Sequence, residues 1–159
     1  MAAPATTVRA APTGRYLDDG FSTKIAFARD SNIELWEQTV TPPGIDGGDA
    51  IEIVTMHNVT WRTMRARSLK TLMESSFEAL YDPVVYNSIL NNLINQEGAI
   101  TCHFPDGSKI DFYGFLQKFE PGELSEGEPP TATVTIVPTN FDLTNNVEAG
   151  PVLTEVAGT

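Results

Sequence analysis

Residues able to do chemistry are few in this chain and widely spaced. His57 and His103 are its two histidines and Cys102 is its one cysteine. Neither histidine belongs to a metal-binding spacing such as i, i+4, which would set two imidazoles on one helix face. Cys102 alternates with the residues of an apolar strand, the pattern of a small buried side chain, and nothing near it in sequence would lower its pKa. The run Gly44-Ile-Asp-Gly-Gly-Asp49 has glycines but no phosphate-binding lysine and no following helix. Its aspartates, Asp46 and Asp49, lack the spaced oxygen ligands and terminal glutamate of a calcium loop. Glu120, Glu123, Glu126 and Glu128 imitate a paired-carboxylate site, yet Pro121, Gly122, Gly127 and Pro129 among them mark a solvated loop. A carboxylate that keeps its water does not become a general acid. The expectation is a protein that is not an enzyme, with no catalytic residue, no metal site and no cofactor.

One stretch carries a different chemistry. Met56-His-Asn-Val-Thr-Trp-Arg-Thr-Met-Arg-Ala-Arg67 combines Trp, Met and Arg, types enriched in protein interfaces. Met56, His57, Trp61, Arg62, Arg65, Arg67 and Lys70 are therefore candidate contacts between subunits. Their natural complement lies in the same chain. The net charge is −11, and the charge is uneven: residues 1–70 carry eight basic and eight acidic groups, residues 71–159 two basic and thirteen acidic. A basic stretch facing an acidic second half suits self-association. The same deficit of lysine and arginine argues against a protein held on DNA by its own surface.

The elements that must position these residues read as mainly β. The length of 159 residues corresponds to about one domain at roughly 150 residues per domain. One cysteine rules out an internal disulfide, and no apolar run reaches the 18 or so residues that span a bilayer. The start of the chain has neither the basic head nor the apolar run of a signal peptide, so a soluble protein made in the cytosol is expected. Residues 1–22 are small, polar and punctuated by Pro and Gly, which reads as an N-terminal arm. Residues 23–29 and 32–40 alternate around the turn signal Asp30-Ser31 and are expected to form a hairpin. Residues 41–70 break the pattern and read as a long loop, of the kind that is usually functional. Glu74, Ser76 and Glu78 alternate with Phe77, Ala79 and Tyr81, which leaves one face wet.

Asp82-Pro83 opens the one helix expected, over 83–96, with Asp82 as cap, apolar stripes Val85, Ile89, Leu93 and Val84, Leu90, Ile94, and Gly98 as C-terminal cap. A second hairpin is expected from 99–104 and 109–119 about Pro105-Asp106-Gly107-Ser108. The last strand, 131–137, puts Thr131, Thr133 and Thr135 on one face and Ala132, Val134 and Ile136 on the other. Residues 140–159 read as a C-terminal arm. The class is a β-sandwich or barrel of about six strands with one α-helix, over a core domain of 23–139.

Taken in order, Thr41-Pro-Pro-Gly-Ile-Asp-Gly-Gly-Asp-Ala-Ile, Thr55-Met-His-Asn58, Arg67-Ser-Leu-Lys70, Tyr81-Asp-Pro83, Phe104-Pro-Asp-Gly107, Phe119-Glu-Pro-Gly-Glu123 and Pro130-Thr-Ala-Thr-Val-Thr-Ile-Val-Pro-Thr-Asn140 resemble the major tail tube proteins of long-tailed, non-contractile (siphovirus-type) bacteriophages. The likeness runs from about residue 34 to 141. It implies a structural virion protein with the fold of phage tail tubes and type VI secretion tubes. Such proteins form hexameric rings that stack into a tail tube, around a tape-measure protein in the lumen, with tail terminator and distal tail proteins at the ends. Genomic DNA passes through during ejection into the host without specific binding, and no membrane is part of the mature tube. Carried over, 41–70 projects toward the neighbouring ring, the two arms cross to adjacent subunits, and Glu74, Ser76, Glu78, Thr131, Thr133 and Thr135 become lumen-facing candidates. The competing readings are a tail terminator or head–tail joining ring in the same virion and, from a different class, a β-sandwich carbohydrate-binding module using Trp36 and Trp61.

Overall fold

The structure is a computed structural model, described for residues 23–30, 33 and 35–155. Among the described residues thirteen strands occur in chain order: β1 (Lys24–Phe27), β2 (Trp36–Thr41), β3 (Ile45–Asp46), β4 (Ile51–Glu52), β5 (Met64–Arg65), β6 (Thr71–Leu72), β7 (Ser75–Leu80), β8 (Gly98–His103), β9 (Lys109–Pro121), β10 (Thr131–Pro138), β11 (Phe141–Asp142), β12 (Val147–Glu148) and β13 (Val152–Thr154). Six form an antiparallel sheet in the order β1-β8-β9-β10-β7-β2, and β13 joins it beside β9. The mainly β class is the observed one.

Alternation within the strands builds the core. In β7, Phe77 and Ala79 point inward. In β10, Ala132, Val134 and Ile136 do so opposite them. Burying such side chains contributes about 1.5–3 kcal/mol each. They meet Ile25, Phe27, Ile100, Cys102, Phe112 and Leu116 in one cluster. Two bulges adjust the faces. An extra residue at Gln117 in β9 flips its parity, so the inward set passes from Phe112, Gly114 and Leu116 to Phe119. Another at Gln38 in β2 leaves Glu37 opposite the buried Ala79 and Val40 opposite Phe77.

The first expected hairpin is not one. β1 pairs with β8 and β2 with β7, so consecutive strands occupy opposite edges of the sheet. The sheet curls until those edges meet, where the Ile25 N–H donates to the Glu37 carboxylate at 2.9 Å. A side chain thus closes what a backbone ladder would otherwise close, and both edges are protected from stray pairing. The second hairpin, β8–β9, turns as expected. Gly107 takes φ +88°, and Asp106 accepts hydrogen bonds from the Ser108 N–H (2.8 Å) and hydroxyl (2.6 Å).

The helix is shorter than 83–96. Asp82 does accept a free N–H, that of Val84, at 3.0 Å. Regular helix α1 (Val85–Ser88) then widens into a π-helical turn, Ile89–Leu93. It stops at Asn95, whose φ of +55° takes the left-handed role expected of Gly98, and Gly98 instead starts β8. Only part of the double stripe is used: Ile89 and Leu93 are buried, whereas Val84 and Leu90 stay exposed. Edge-to-face contacts among Tyr81, Tyr86 and Phe119, at 5.3–5.7 Å, pin the start of this helix to the sheet.

Two segments expected to lack structure have it. Residues 41–70, expected to be a loop, belong to a two-part ladder: Ile45 opposes Leu72 in β3–β6, and Ile51 opposes Arg65 in β4–β5. Periodicity could not reveal β4–β5, because with both faces wet nothing in the sequence there must alternate. The segment 140–159 is the expected C-terminal arm. Through residue 155 it folds back on its own sheet, with β11 pairing β12 and β13 pairing β9 at Val152 to Asp111. Asp142 anchors this return by accepting from the Thr144 and Asn145 N–H groups, the Asn145 amide and the Tyr113 hydroxyl. The N-terminal arm expected over 1–22 and residues 156–159 lie outside the described residues.

Candidate assembly interface

The subunit-contact candidates all fall on one finger, residues 45–72, which leaves the sheet where β2 ends and returns where β7 begins. From residue 45 to the turn at 55–58 is up to about 35 Å of extended chain. The base is set by pairing of Met73 N–H with the Gly44 carbonyl at 2.7 Å. Between its two ladders the register slips by one residue, at Gly47 and Gly48. Gly48 adopts φ +74° and donates its N–H to Asp46 at 2.8 Å. Arg67 braces this joint, its Nε–H donating to the Asp49 carbonyl at 2.7 Å.

Asn58 organises the tip. Its Oδ1 accepts from the Thr55 N–H (2.8 Å) and hydroxyl (3.2 Å), and its Nδ2 donates to the Trp61 carbonyl (3.0 Å) and the Thr63 hydroxyl (2.9 Å). Sequence reading missed this residue. Asn in a turn is a known signal, but its partners lie on both sides of the turn and only folding gathers them.

The tip presents Met56 and Val59 fully to solvent and Trp61 at 82% exposure, with Ile53, Val54 and Met64 half-exposed behind them and Leu69 exposed lower down. His57 is exposed beside Met56. So many contiguous apolar side chains outside a core mark a binding surface. The cations divide in two. Arg62 pairs with Glu52 at 2.8 Å and Arg67 is committed to the joint. Arg65 and Lys70 make no ion pair among the described residues.

The lumen candidates also come together. Thr133 lies opposite Glu78 and Thr135 opposite Ser76 across the β10–β7 ladder, and Thr39 and Thr41 of β2 oppose Glu78 and Ser76 from the other side. Thr131 opposes Leu80, and Glu74, exposed, precedes β7 with the same parity. The face continues across β9 and β8 through Lys118, Glu120, Asp111 and Thr101. Part of the charge on this face is paired within it. Lys109 lies 3.5 Å from Asp111 and Lys118 4.0 Å from Glu120, so those charges cancel locally, and only Glu74 and Glu78 stand unpaired among the described residues of the face. Glu123, Glu126 and Glu128 sit instead in the exposed loop between β9 and β10.

Among the described residues no three His, Cys, Asp or Glu side chains group as a metal site would require. Cys102 is fully buried, and that burial first, then the Glu37 carboxylate, pushes its thiol pKa up, away from nucleophilic thiolate. Trp36 lies on β2 at the end of the β2–β7 pair away from the finger and Trp61 lies on the finger itself, between β4 and β5. Among the described residues no helix is long and apolar enough to cross a membrane.

No protein-family model and no curated protein sequence matches the chain. Its fold is similar to that of a chain in the cryo-EM structure of the anti-feeding prophage (AFP) baseplate, 6-fold symmetrised. The TM-score is 0.58 over 85% of this chain and 92% of that one, at 8% sequence identity. At that identity the likeness is one of fold.

Proposed function

We propose that this is a structural, non-catalytic protein of a phage-type tail, which forms hexameric rings that stack into a tube through which genomic DNA passes. The observation that carries the reading is the finger. A two-stranded ladder whose outer part, β4–β5 and the tip, keeps its apolar side chains in water is incomplete as a monomer and becomes stable when another subunit covers it. The likeness in fold to a chain of a six-fold symmetrised baseplate supports a ring as the unit. A sheet face of hydroxyls, two lysines held by acidic partners and the glutamates Glu74 and Glu78 offers passing DNA few of the free cations that phosphate binding requires. A tape-measure protein inside, terminator and distal proteins at the ends, and a place in the virion tail follow from the same reading.

The baseplate likeness also favours a second possibility, a single ring at one end of a tail. Electron cryo-microscopy of the concentrated protein separates the two. Stacked six-fold rings of indefinite length are expected for a tube, isolated rings for an end piece, and a protein that remains monomeric at every concentration and in the presence of tail ends overturns both.

A further inference from the structure

We infer that the finger of one copy seats in a specific groove of the next copy, at the opposite end of the same strand pair. This rests on the stacking reading above and supplies the receiving surface that reading lacks. The groove is lined by Trp36, Leu80, Tyr81, Pro129 and Pro130, with Asp82 at its rim. Trp36 is 55% exposed on an edge strand although it faces Leu80 across the ladder. It is therefore a large aromatic surface left half in water.

The topology sets the geometry. β2 runs from Trp36 to Thr41 and β7 returns from Ser75 to Leu80, so the groove opens at one end of the pair and the finger leaves at the other, about 17 Å away along six-residue strands. A second copy displaced along the strand direction brings its tip to the groove of the first. The contact is heterologous, tip to groove, and leaves the tips of the ring at one end of a stack and the grooves of the ring at the other unused, which is the condition for open-ended growth.

The charges match in the same sense. Residues 51–67 of the finger carry Arg62, Arg65 and Arg67 against the single acid Glu52. Asp82 lines the groove, the exposed loop that leads into its Pro129 carries Glu123, Glu126 and Glu128, and no Lys or Arg occurs in 71–108 or 119–155. Complementary potentials of this kind fix orientation and speed encounter, while Trp61 and Met56 against Trp36 and the prolines supply the apolar centre that interfaces concentrate their energy in.

The test is a covalent one on the full chain. Val59 and Glu128 are exposed and Cys102 is buried, so Val59→Cys and Glu128→Cys in one chain create the two accessible thiols. Oxidation of the assembled double variant should give a ladder of trimers and larger species, whereas each single variant should give at most dimers. Separately, Trp36→Ala and Glu126→Lys/Glu128→Lys, all at exposed positions, should keep the far-ultraviolet circular dichroism of the parent and raise the concentration needed for assembly at least about tenfold, the scale of one lost hot spot. Stacked rings that form normally in both variants and yield no ladder would overturn the groove while leaving ring stacking intact. A double variant that stops at dimers would show a reciprocal contact and overturn it as well. Absence of any assembly in the parent protein removes both readings together.

Discussion

At the scale of single residues, polar side chains rather than apolar ones decide the local shapes. Asn58 holds the tip of the finger by bonds to three residues on both sides of the turn. Asn58→Ala should speed amide hydrogen exchange over 53–63 by about tenfold, equivalent to ~1.4 kcal/mol of local stability, with the melting temperature of the body unchanged, because the tip touches no core residue. Asp142 has a comparable role in the C-terminal return. Hydrogen bonding, chiefly from the Asn145 amide, holds its carboxyl pKa below the ordinary 3.8, and its negative charge raises the pKa of the Tyr113 hydroxyl. A carboxylate whose pKa falls on folding contributes stability that is complete above its unfolded pKa and is lost as pH drops through the folded value. Amide resonances of Thr144 and Asn145 should therefore titrate together at a pH below 3.8, and Asp142→Asn should abolish that titration.

At the scale of elements, the central strand β9 is the most constrained. Gly114 lies where β8 and β10 both pair with it, and a Cβ there would stand 2.6 Å from the Val137 carbonyl oxygen. Backbone on both sides cannot yield without breaking a ladder, so Gly114→Ala should cost about 1–3 kcal/mol as overpacking does, lowering the melting temperature by roughly 3–10 °C. The finger behaves in the opposite way. Its joint at Gly48 is braced by one guanidinium, and Arg67→Ala should leave thermal unfolding of the sheet unchanged while increasing exchange across β4 and β5, because the lost Arg67–Asp49 bond couples the distal ladder to the base. Strands with one dry face, such as β7, β8 and β10, were legible in the sequence, as was the β8–β9 turn. The paired segments of the finger and of the C-terminal return were not. Residues wet on both sides carry no period, and a two-residue ladder is defined only by what lies across from it.

At the scale of the whole molecule, apolar surface and charge are distributed by end: a basic, apolar finger at one and an acidic loop with an aromatic groove at the other. Reversing Arg65 and Lys70 to glutamate, the two finger cations without an ion pair among the described residues, should leave the monomer's circular dichroism intact, since exposed charges contribute little to stability, and should suppress sedimentation of assembled rings. Raising the salt should weaken assembly of the parent in the same direction, as screening shortens the reach of the complementary charges. Composition and alternation alone determined that this chain is a mainly β protein and that residues 56–67 are rich in the types found at interfaces. Those properties reside in residue types and their local order. Which strands share an edge, where the acidic excess lies, and that finger and groove sit at opposite ends of one strand pair were decided only by the tertiary structure. Register and closure depend on pairings between residues far apart in the chain, as when Glu37 reaches Ile25 across the curled sheet, and no local pattern encodes a partner at that distance.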